Sequence, residues 1–407
     1  MPQWLSRLTR QAAANSMAGQ GIESKASATS LVAFHLEGQP RWSPRDYASL
    51  ADQGYGRNPV VYRCVRMISE AAASVPWLLY DGAQALDQHP LLDVLARPNA
   101  RQIGTDLLES WYGHLLIAGN AYLEAAGPDA SIDELYVLRP DRMKVVPGTD
   151  GWPIAYEYTA DGRKVRFPLD SPVIAPVHHM ALFHPTDDHY GLSPIEAAAS
   201  SIDTHNAATA WNKALLDNSA RPSGAIVYAG ADSATHLSDD QYSRLKSELQ
   251  SAYQGAKNAG RPMLLEGGLD WKPMGMTPKD MDFIDLKHVA AREIALAFGV
   301  PPMLLGIPGD NTFSNYREAN LTFWRQTVLP LVGRTAKSLS RWLGPEYGPQ
   351  IRLWYDADRI DALRSEREAL WSRVGAADFL TEDEKRAAAG YSPKVPSATV
   401  LPEGAKS

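Results

Sequence analysis

Cysteine is nearly absent: Cys64 is the one thiol in 407 residues. A lone cysteine excludes an internal disulfide framework and fits synthesis in a reducing compartment. Long apolar runs are missing too. The longest uncharged apolar-rich stretch, Ile294 to Ile307, has 14 residues and is interrupted by Pro301 and Pro302. A bilayer crossing requires roughly 20 apolar residues, so no membrane span is expected. The N-terminus carries no apolar core followed by a cleavage site, and secretion is not expected. Positive charge is in deficit, with Lys+Arg 40 against Asp+Glu 47 and a net charge of −7. That balance argues against a protein that grips nucleic acid over its whole surface.

Catalytic signatures are equally scarce. No Gly-Lys dipeptide occurs anywhere, which excludes a phosphate-binding loop of the GxxxxGK[ST] kind. Gly54-Tyr55-Gly56 runs into Arg57, Asn58 and Pro59 and completes no dinucleotide fingerprint. Ser193, in Gly191-Leu192-Ser193-Pro194-Ile195, lacks the second glycine of a nucleophile elbow, and Pro194 reads as the first residue of a helix. Cys64 sits between Arg63 and Arg66, which would lower a thiol pKa, but its apolar helix makes it a small core residue. His184, Asp187, Asp188 and His189, with His178 and His179 upstream, have the chemistry of metal ligands. Their spacing matches no closed tetrahedral pattern, and Pro185 with Asp187-Asp188 reads equally as a turn leading into a helix. No metal, cofactor or enzymatic activity is expected.

What is present is an ordinary globular composition, 44% hydrophobic and 21% charged, over a length suited to two or three packed units. Residues 1–57 are rich in Ala, Ser, Gln and Gly and are expected to be mobile. Asn58-Pro59 is an N-cap followed by proline at the first helical position. Val61, Val65, Ile68, Ala72 and Val75 then predict an amphipathic helix ending at Pro76. A second helix is expected over 106–118, closing at Gly119-Asn120. Short β segments follow at 121–125, 134–138, 154–158, 164–167 and 180–183, separated by Pro and Gly turns. The block is α+β, read as a sheet carrying helices on one side.

Three long helices dominate the remainder: 194–219, 278–298 with Phe283, Leu286, Ala290, Ile294 and Ala297 on one stripe, and 315–343, which Pro330 should kink. Between the first two lies a small unit of about 56 residues, 221–276, with strands at 225–228, 263–266 and 269–273 and a helix over 238–256. Pro301–Asn311 is a loop with three prolines, two glycines and no basic side chain. The third helix carries Arg317, Arg325, Arg334, Lys337 and Arg341 against Glu318. A strand at 351–355 and helices near 358–374 and 381–389 finish the chain. Two long helices bracketing a small insertion suit either a helical hairpin within one large domain or a ring whose neighbouring copies cover the flanks.

These segments resemble the portal proteins of tailed phages with long flexible tails. The resemblance is carried by Asn58-Pro59-Val60-Val61-Tyr62, Gly119-Asn120-Ala121-Tyr122, Tyr190-Gly191-Leu192-Ser193-Pro194-Ile195 and Ala220-Arg221-Pro222-Ser223-Gly224. It continues through Arg261-Pro262-Met263-Leu264-Leu265-Glu266-Gly267-Gly268, Ile294-Ala295-Leu296-Ala297-Phe298-Gly299-Val300-Pro301-Pro302 and Phe313-Ser314-Asn315, in the family's order. Portals of gene-transfer-agent particles are the most similar branch, on His184-Pro185-Thr186-Asp187-Asp188-His189-Tyr190 and Met303-Leu304-Leu305-Gly306-Ile307-Pro308-Gly309-Asp310.

The resemblance implies a portal fold: an α+β wing, long stem helices, a small α/β clip inserted between them, and a short C-terminal helical crown. Carried over, 58–192 with 315–356 is the wing, 193–220 and 277–299 the stem helices, 221–276 the clip and 357–407 the crown or tail. Residues 300–314 become the tunnel loop, with Pro308, Gly309, Asp310, Asn311, Thr312 and Phe313 at its tip. The implied assembly is a ring, usually of twelve copies, at one vertex of a phage-like capsid, put together in the host cytoplasm. Implied partners are double-stranded DNA passing weakly and non-specifically, the terminase large subunit, the head–tail connector and the major capsid protein. The basic stripe of Arg317, Arg325, Arg334, Lys337 and Arg341 suits contact with DNA less well than a solvated face or salt bridges to a neighbouring copy. The competing readings are another head–tail connector ring, or a metal-dependent hydrolase built on His184, Asp187, Asp188 and His189.

Overall fold

The computed structural model describes residues 46–127, 132–170, 174–217, 224–228, 269–273, 283–309 and 312–391, with a few helical positions between 240 and 247. The fold is α+β. Two compact units are distinguished, one built on 41–209 and 283–407, the other on 210–282.

The larger unit begins earlier than the sequence suggests. Asp46 caps a helical turn, α1 (Tyr47–Ser49), which opens into a π turn at Leu50–Gly56. Leu50 is in the core, and the Gly54 backbone lies so near Ile195 that an added Cβ would fall 2.7 Å from that side chain. Residues 46–57 are therefore packed, and only the part of 1–57 before Asp46 lies outside the described residues. Low apolar content concealed this: Leu50 enters the core, Tyr47, Ala51 and Tyr55 pack against it, and Gly54 lies against Ile195.

α2 (Pro59–Ala73) starts at Asn58, whose Oδ1 accepts from the Val60 and Val61 amides. All five residues of its expected stripe are buried, and Cys64 joins them. Burial pushes the Cys64 thiol up to about 12, so it is an inert packing group. β1 (Trp77–Asp81) and β2 (Gln84–Leu86) follow, then α3 (Pro90–Ala96) and α4 (Gly104–Ala118). α4 buries Leu107, Leu108, Trp111, Tyr112 and Leu115 in the core shared with α2.

The expected single sheet is instead several small ones. β3 (Asn120–Ala126) is flanked by β4 (Glu134–Leu138) and β8 (Val177–Ala181). β5 (Met143–Pro147), β6 (Pro153–Ala160) and β7 (Arg163–Pro168) form a separate antiparallel meander. A 3-10 turn at Pro140–Arg142 separates β4 from β5, which lie in different sheets. The meander closes a second small core around Tyr122, Met143, Val145 and Tyr156.

α5 (Pro194–Ala197) and α6 (Ala199–Asp217) replace the one helix expected from 194 to 219, with a break at Ala198. In the second unit, β9 (Gly224–Tyr228) pairs antiparallel with β10 (Leu269–Pro273), Tyr228 opposite Leu269. The helix expected near 238–256 and the strand at 263–266 lie largely outside the described residues.

α7 (Phe283–Ala297) buries Ala290, Ala291, Ile294 and Ala295, while Ile284, Leu286, Val289 and Leu296 are exposed. The predicted stripe holds in its middle and leaves the core at Leu286. The third long helix arrives in three parts: α8 (Phe313–Phe323), a π turn (Trp324–Val328) and α9 (Leu329–Tyr347). Pro330 has no N–H and would clash with the carbonyl one turn back, and the widened turn just before it absorbs the misfit. α9 buries Val332, Ala336, Leu339 and Leu343. β11 (Ile351–Tyr355) then pairs antiparallel with β1, Leu353 opposite Leu79. α10 (Arg364–Gly375) and α11 (Glu382–Ala388) complete the unit. Among the described residues, no helix is long and apolar enough to cross a membrane.

Candidate functional site

Two of the sequence motifs meet at one joint. Gly119 ends α4 in the left-handed conformation (φ +72°), and its carbonyl accepts from the Leu182 amide at 2.8 Å. A Cβ on Gly191 would fall 2.1 Å from the Gly119 oxygen and 2.5 Å from the Leu182 nitrogen. Only glycine permits that crossing. Asn120 Oδ1 accepts from the Gly191 amide at 2.8 Å and from His179 Nε2 at 3.0 Å. Ser193 Oγ donates to the Leu116 carbonyl and accepts from the Ile195 amide, so it caps α5 while pinning it to α4. The serine that resembled half a nucleophile elbow is a buried helix cap.

A second joint ties α2 to α6. Besides capping α2, Asn58 donates through Nδ2 to His205 Nδ1 (3.2 Å) and to Asn206 Oδ1 (3.0 Å). Asn206 Nδ2 donates to the Gln53 carbonyl. The α5–α6 segment is thus fixed to α4 at one point and to α2 at another.

The histidine-aspartate cluster is divided between core and turn. His178 lies between Trp111 and Trp342 (ring centroids 5.8 and 5.1 Å away) and hydrogen-bonds Ser338. His179 stacks on Tyr122 at 4.3 Å. Burial lowers their pKa values to about 4 and about 3, so both are neutral at pH 7. Asp187 Oδ1 accepts from the His189 and Tyr190 amides, which holds its carboxyl below the usual range, and His184 Nδ1 accepts from the Thr186 amide. Asp188 is exposed. Among the described residues, no three His, Cys, Asp or Glu side chains are placed to hold a metal ion.

His178 and His179 predict an acid-labile fold, and His114, which burial also lowers to about 4, adds to it. Their folded pKa values lie below the unfolded value of 6.5, so the unfolded chain binds protons first as pH falls. Stability should be full above about pH 6.5 and decline towards pH 4, by on the order of 2 kcal/mol per histidine at pH 5. Urea midpoints at pH 7 and 5 measure this. His178→Phe, which keeps a ring between the tryptophans, should reduce the decline. An undiminished decline in that variant would refute the assignment.

The predicted tunnel loop divides in two. Gly299 (φ +66°) ends α7, and Thr327 Oγ1 donates to its carbonyl at 2.5 Å. A 3-10 turn at Pro302–Leu305 and the buried Val300 and Ile307 anchor the loop's first half. Pro308 and Gly309 are exposed. Asp310 and Asn311 lie outside the described residues. Thr312 caps α8 by accepting from the Asn315 amide, and Phe313 is its first residue. The loop has no cation of its own, yet Arg292 of α7 donates to the Pro308 carbonyl, a contact that a loop-by-loop reading of the sequence passes over.

The five cations of the third helix are all exposed but have different surroundings. Arg325 pairs with Glu366 at 3.1 Å, and Arg334 donates to the Ala181 carbonyl. Lys337 Nζ lies 5.6 Å over the Trp354 ring. Arg325, Arg334 and Lys337 border one open groove of about 570 Å³, whereas Arg317 and Arg341 do not line it.

Small sheets are joined to long helices by buried caps and a glycine crossing. The model of the phage portal protein family matches residues 59–390, and the chain belongs to that family. It is similar to a chain in the neck of an empty gene transfer agent (GTA) particle computed with C6 symmetry: 56% identical, TM-score 0.69, covering 88% of this chain and 96% of that one. It is also similar to a chain in the neck of a native GTA particle computed with C12 symmetry, 55% identical with TM-score 0.66 and the same coverage. The probable portal protein of Streptomyces phage phiC31 is 29% identical over 359 residues, 84% of this chain and 75% of that one.

Proposed function

We propose that the chain closes with copies of itself into a ring at one vertex of a phage-like capsid, and that double-stranded DNA passes through the opening during packaging and ejection. The observation that carries this reading is the 55% identity, over 88% of the chain, to a neck component of a particle computed with C12 symmetry. In this reading 193–220 and 277–299 are stem helices and 221–276 the clip that meets the packaging motor and later the connector. Residues 58–192 and 315–356 form the wing, 357–407 a short crown, and 300–314 the loop that borders the channel.

The chemistry suits a passive conduit. A channel through which DNA slides must bind it poorly, because each neutralised phosphate adds affinity through counterion release and a ring multiplies every contact. A loop without Lys or Arg meets that requirement, and Arg292, which reaches it from α7, is engaged with the Pro308 carbonyl. The chain is not an enzyme in this account. A separate terminase supplies the energy, and the major capsid protein surrounds the wing.

Native mass spectrometry of the purified protein tests the assembly. Twelve copies of 44.6 kDa give a particle of about 535 kDa. A strictly monomeric mass, even for protein recovered from assembled heads, would contradict the proposal.

A further inference from the structure

The groove on α9 has an amphipathic lining. Its floor is apolar, built from Leu329, Pro330 and the stacked pair Trp354–Tyr355, whose ring centroids are 4.9 Å apart. Gly333 also lines the groove and brings the α9 backbone close to the Tyr355 and Trp354 rings. The rim carries Arg325, Arg334 and Lys337; Glu366 pairs with Arg325 beside the groove, and no carboxylate lines the groove itself. Tyr355 stacks on the Trp354 ring and Lys337 Nζ lies over it, so a cation sits beside the aromatic floor. An apolar floor is wasted on a duplex backbone, which presents phosphates and sugars. The lining fits a peptide that brings an apolar anchor flanked by carboxylates.

The chain carries such a peptide elsewhere on its surface. Phe379 is 86% exposed, in the turn between α10 and α11. Asp378 precedes it, and Glu382, Asp383 and Glu384 form the first turn of α11. The turn is held rigid: Arg367 binds Asp358 and the Ala389 carbonyl, Lys385 donates to the Gly375 carbonyl, and Thr381 and Glu384 make a reciprocal cap. A preformed knob loses little conformational entropy on docking. It does not serve its own groove. Arg325–Glu366 fixes the first turn of α10 beside the groove, and the rest of that helix carries the chain roughly 14 Å onward before the turn begins.

We propose that the Phe379 turn of one copy docks into the α9 groove of the next, phenylalanine on the Trp354–Tyr355 floor and Asp378 facing the cationic rim. Knob and groove are different surfaces of the same chain, so the contact is head-to-tail, the kind that closes rings. The inference rests on the ring reading given above and assigns it a specific interface. A buried aromatic anchor with charge pairs around it is the usual composition of an interface hot spot.

The test is the protein concentration giving half-maximal ring assembly, read by native mass measurement on the full chain. Phe379→Ser and Lys337→Glu alter exposed side chains, and unchanged circular-dichroism melting will show that both variants fold. Each is expected to raise that concentration by at least about tenfold. Asp378→Lys combined with Lys337→Glu restores the opposite-charge pair and should recover most of the loss. Assembly within twofold of the parent in both single variants, or no recovery in the charge swap, would overturn the contact. If Lys337→Glu instead weakens binding of a short duplex and leaves assembly intact, the groove belongs to DNA and the inference fails. Parent protein that forms no ring at any concentration contradicts the ring reading itself, whereas rings indifferent to the variants overturn only this interface.

Discussion

Gly191→Ala is expected to lower the melting temperature by about 10 °C, reflecting about 3–5 kcal/mol of lost stability. The new Cβ would meet three backbone atoms, the Gly119 oxygen at 2.1 Å and the Leu182 nitrogen and oxygen at 2.5 and 2.8 Å. Backbone cannot rotate away as a side chain can, so the crossing must separate. Separation also weakens the Asn120–Gly191 hydrogen bond and moves Ser193 from the Leu116 carbonyl. Gly151→Ala is the matched control. Gly151 has φ +84° but nothing within 4 Å of the added carbon, so only the backbone penalty of about 1 kcal/mol applies. Equal melting temperatures for the two variants would show that the crossing is not what holds α5 to α4.

Asn311→Lys is expected to slow DNA packaging about tenfold near 50 mM salt and to recover towards the parent rate near 200 mM. The argument is electrostatic and cumulative. One added lysine is a weak phosphate contact, but a ring repeats it around the opening, and counterion release makes the penalty fall with salt. Thr312 is the poorer position for this experiment, because its hydroxyl caps α8 and its loss would add a folding cost of about 1 kcal/mol. Asn311→Gln, uncharged and similar in polarity, should package normally. Lysine and glutamine variants that package equally at every ionic strength would refute the slippery-channel account.

Legibility in the sequence followed the range of the interaction. The α2 stripe was readable because Val61, Val65, Ile68, Ala72 and Val75 all face one core, and periodicity reports a single buried face directly. The Pro330 kink was readable from covalent chemistry, though its form, a π turn before the proline, was not. β1 was missed because Trp77–Asp81 follows Pro76 without polar alternation, and its partner β11 is more than 260 residues away in the chain. The single sheet expected over 121–183 failed for a similar reason: pairing is decided by register between strands, and short apolar runs do not encode which neighbour they choose. Packing of 46–57 was hidden because Tyr47, Leu50, Ala51 and Tyr55 are scattered among polar residues and Gly54 contributes contact without hydrophobicity.

The candidate site divided along the same line. Gly119, Asn120, Gly191 and Ser193 stood out as motifs, but their meeting at one crossing is a property of the fold. His178 and His179 suggested ligands by residue type, and only the flanking Trp111, Trp342 and Tyr122 make them core groups. The absence of cations in 300–314 was visible, whereas Arg292 reaching Pro308 was not, since α7 and the loop approach each other through the turn at Gly299. The α9 groove needed Trp354 and Tyr355 from β11 beside three cations of a helix, a juxtaposition that no local pattern announces.

Electron microscopy of the purified full-length assembly, viewed along its symmetry axis, tests the central claim most directly. The account predicts a closed, rotationally symmetric ring with a through-hole wide enough for duplex DNA, residues 300–314 lining its narrowest part. Particles without a central opening, or a ring whose constriction is lined by Arg325, Arg334 and Lys337 instead, would contradict it.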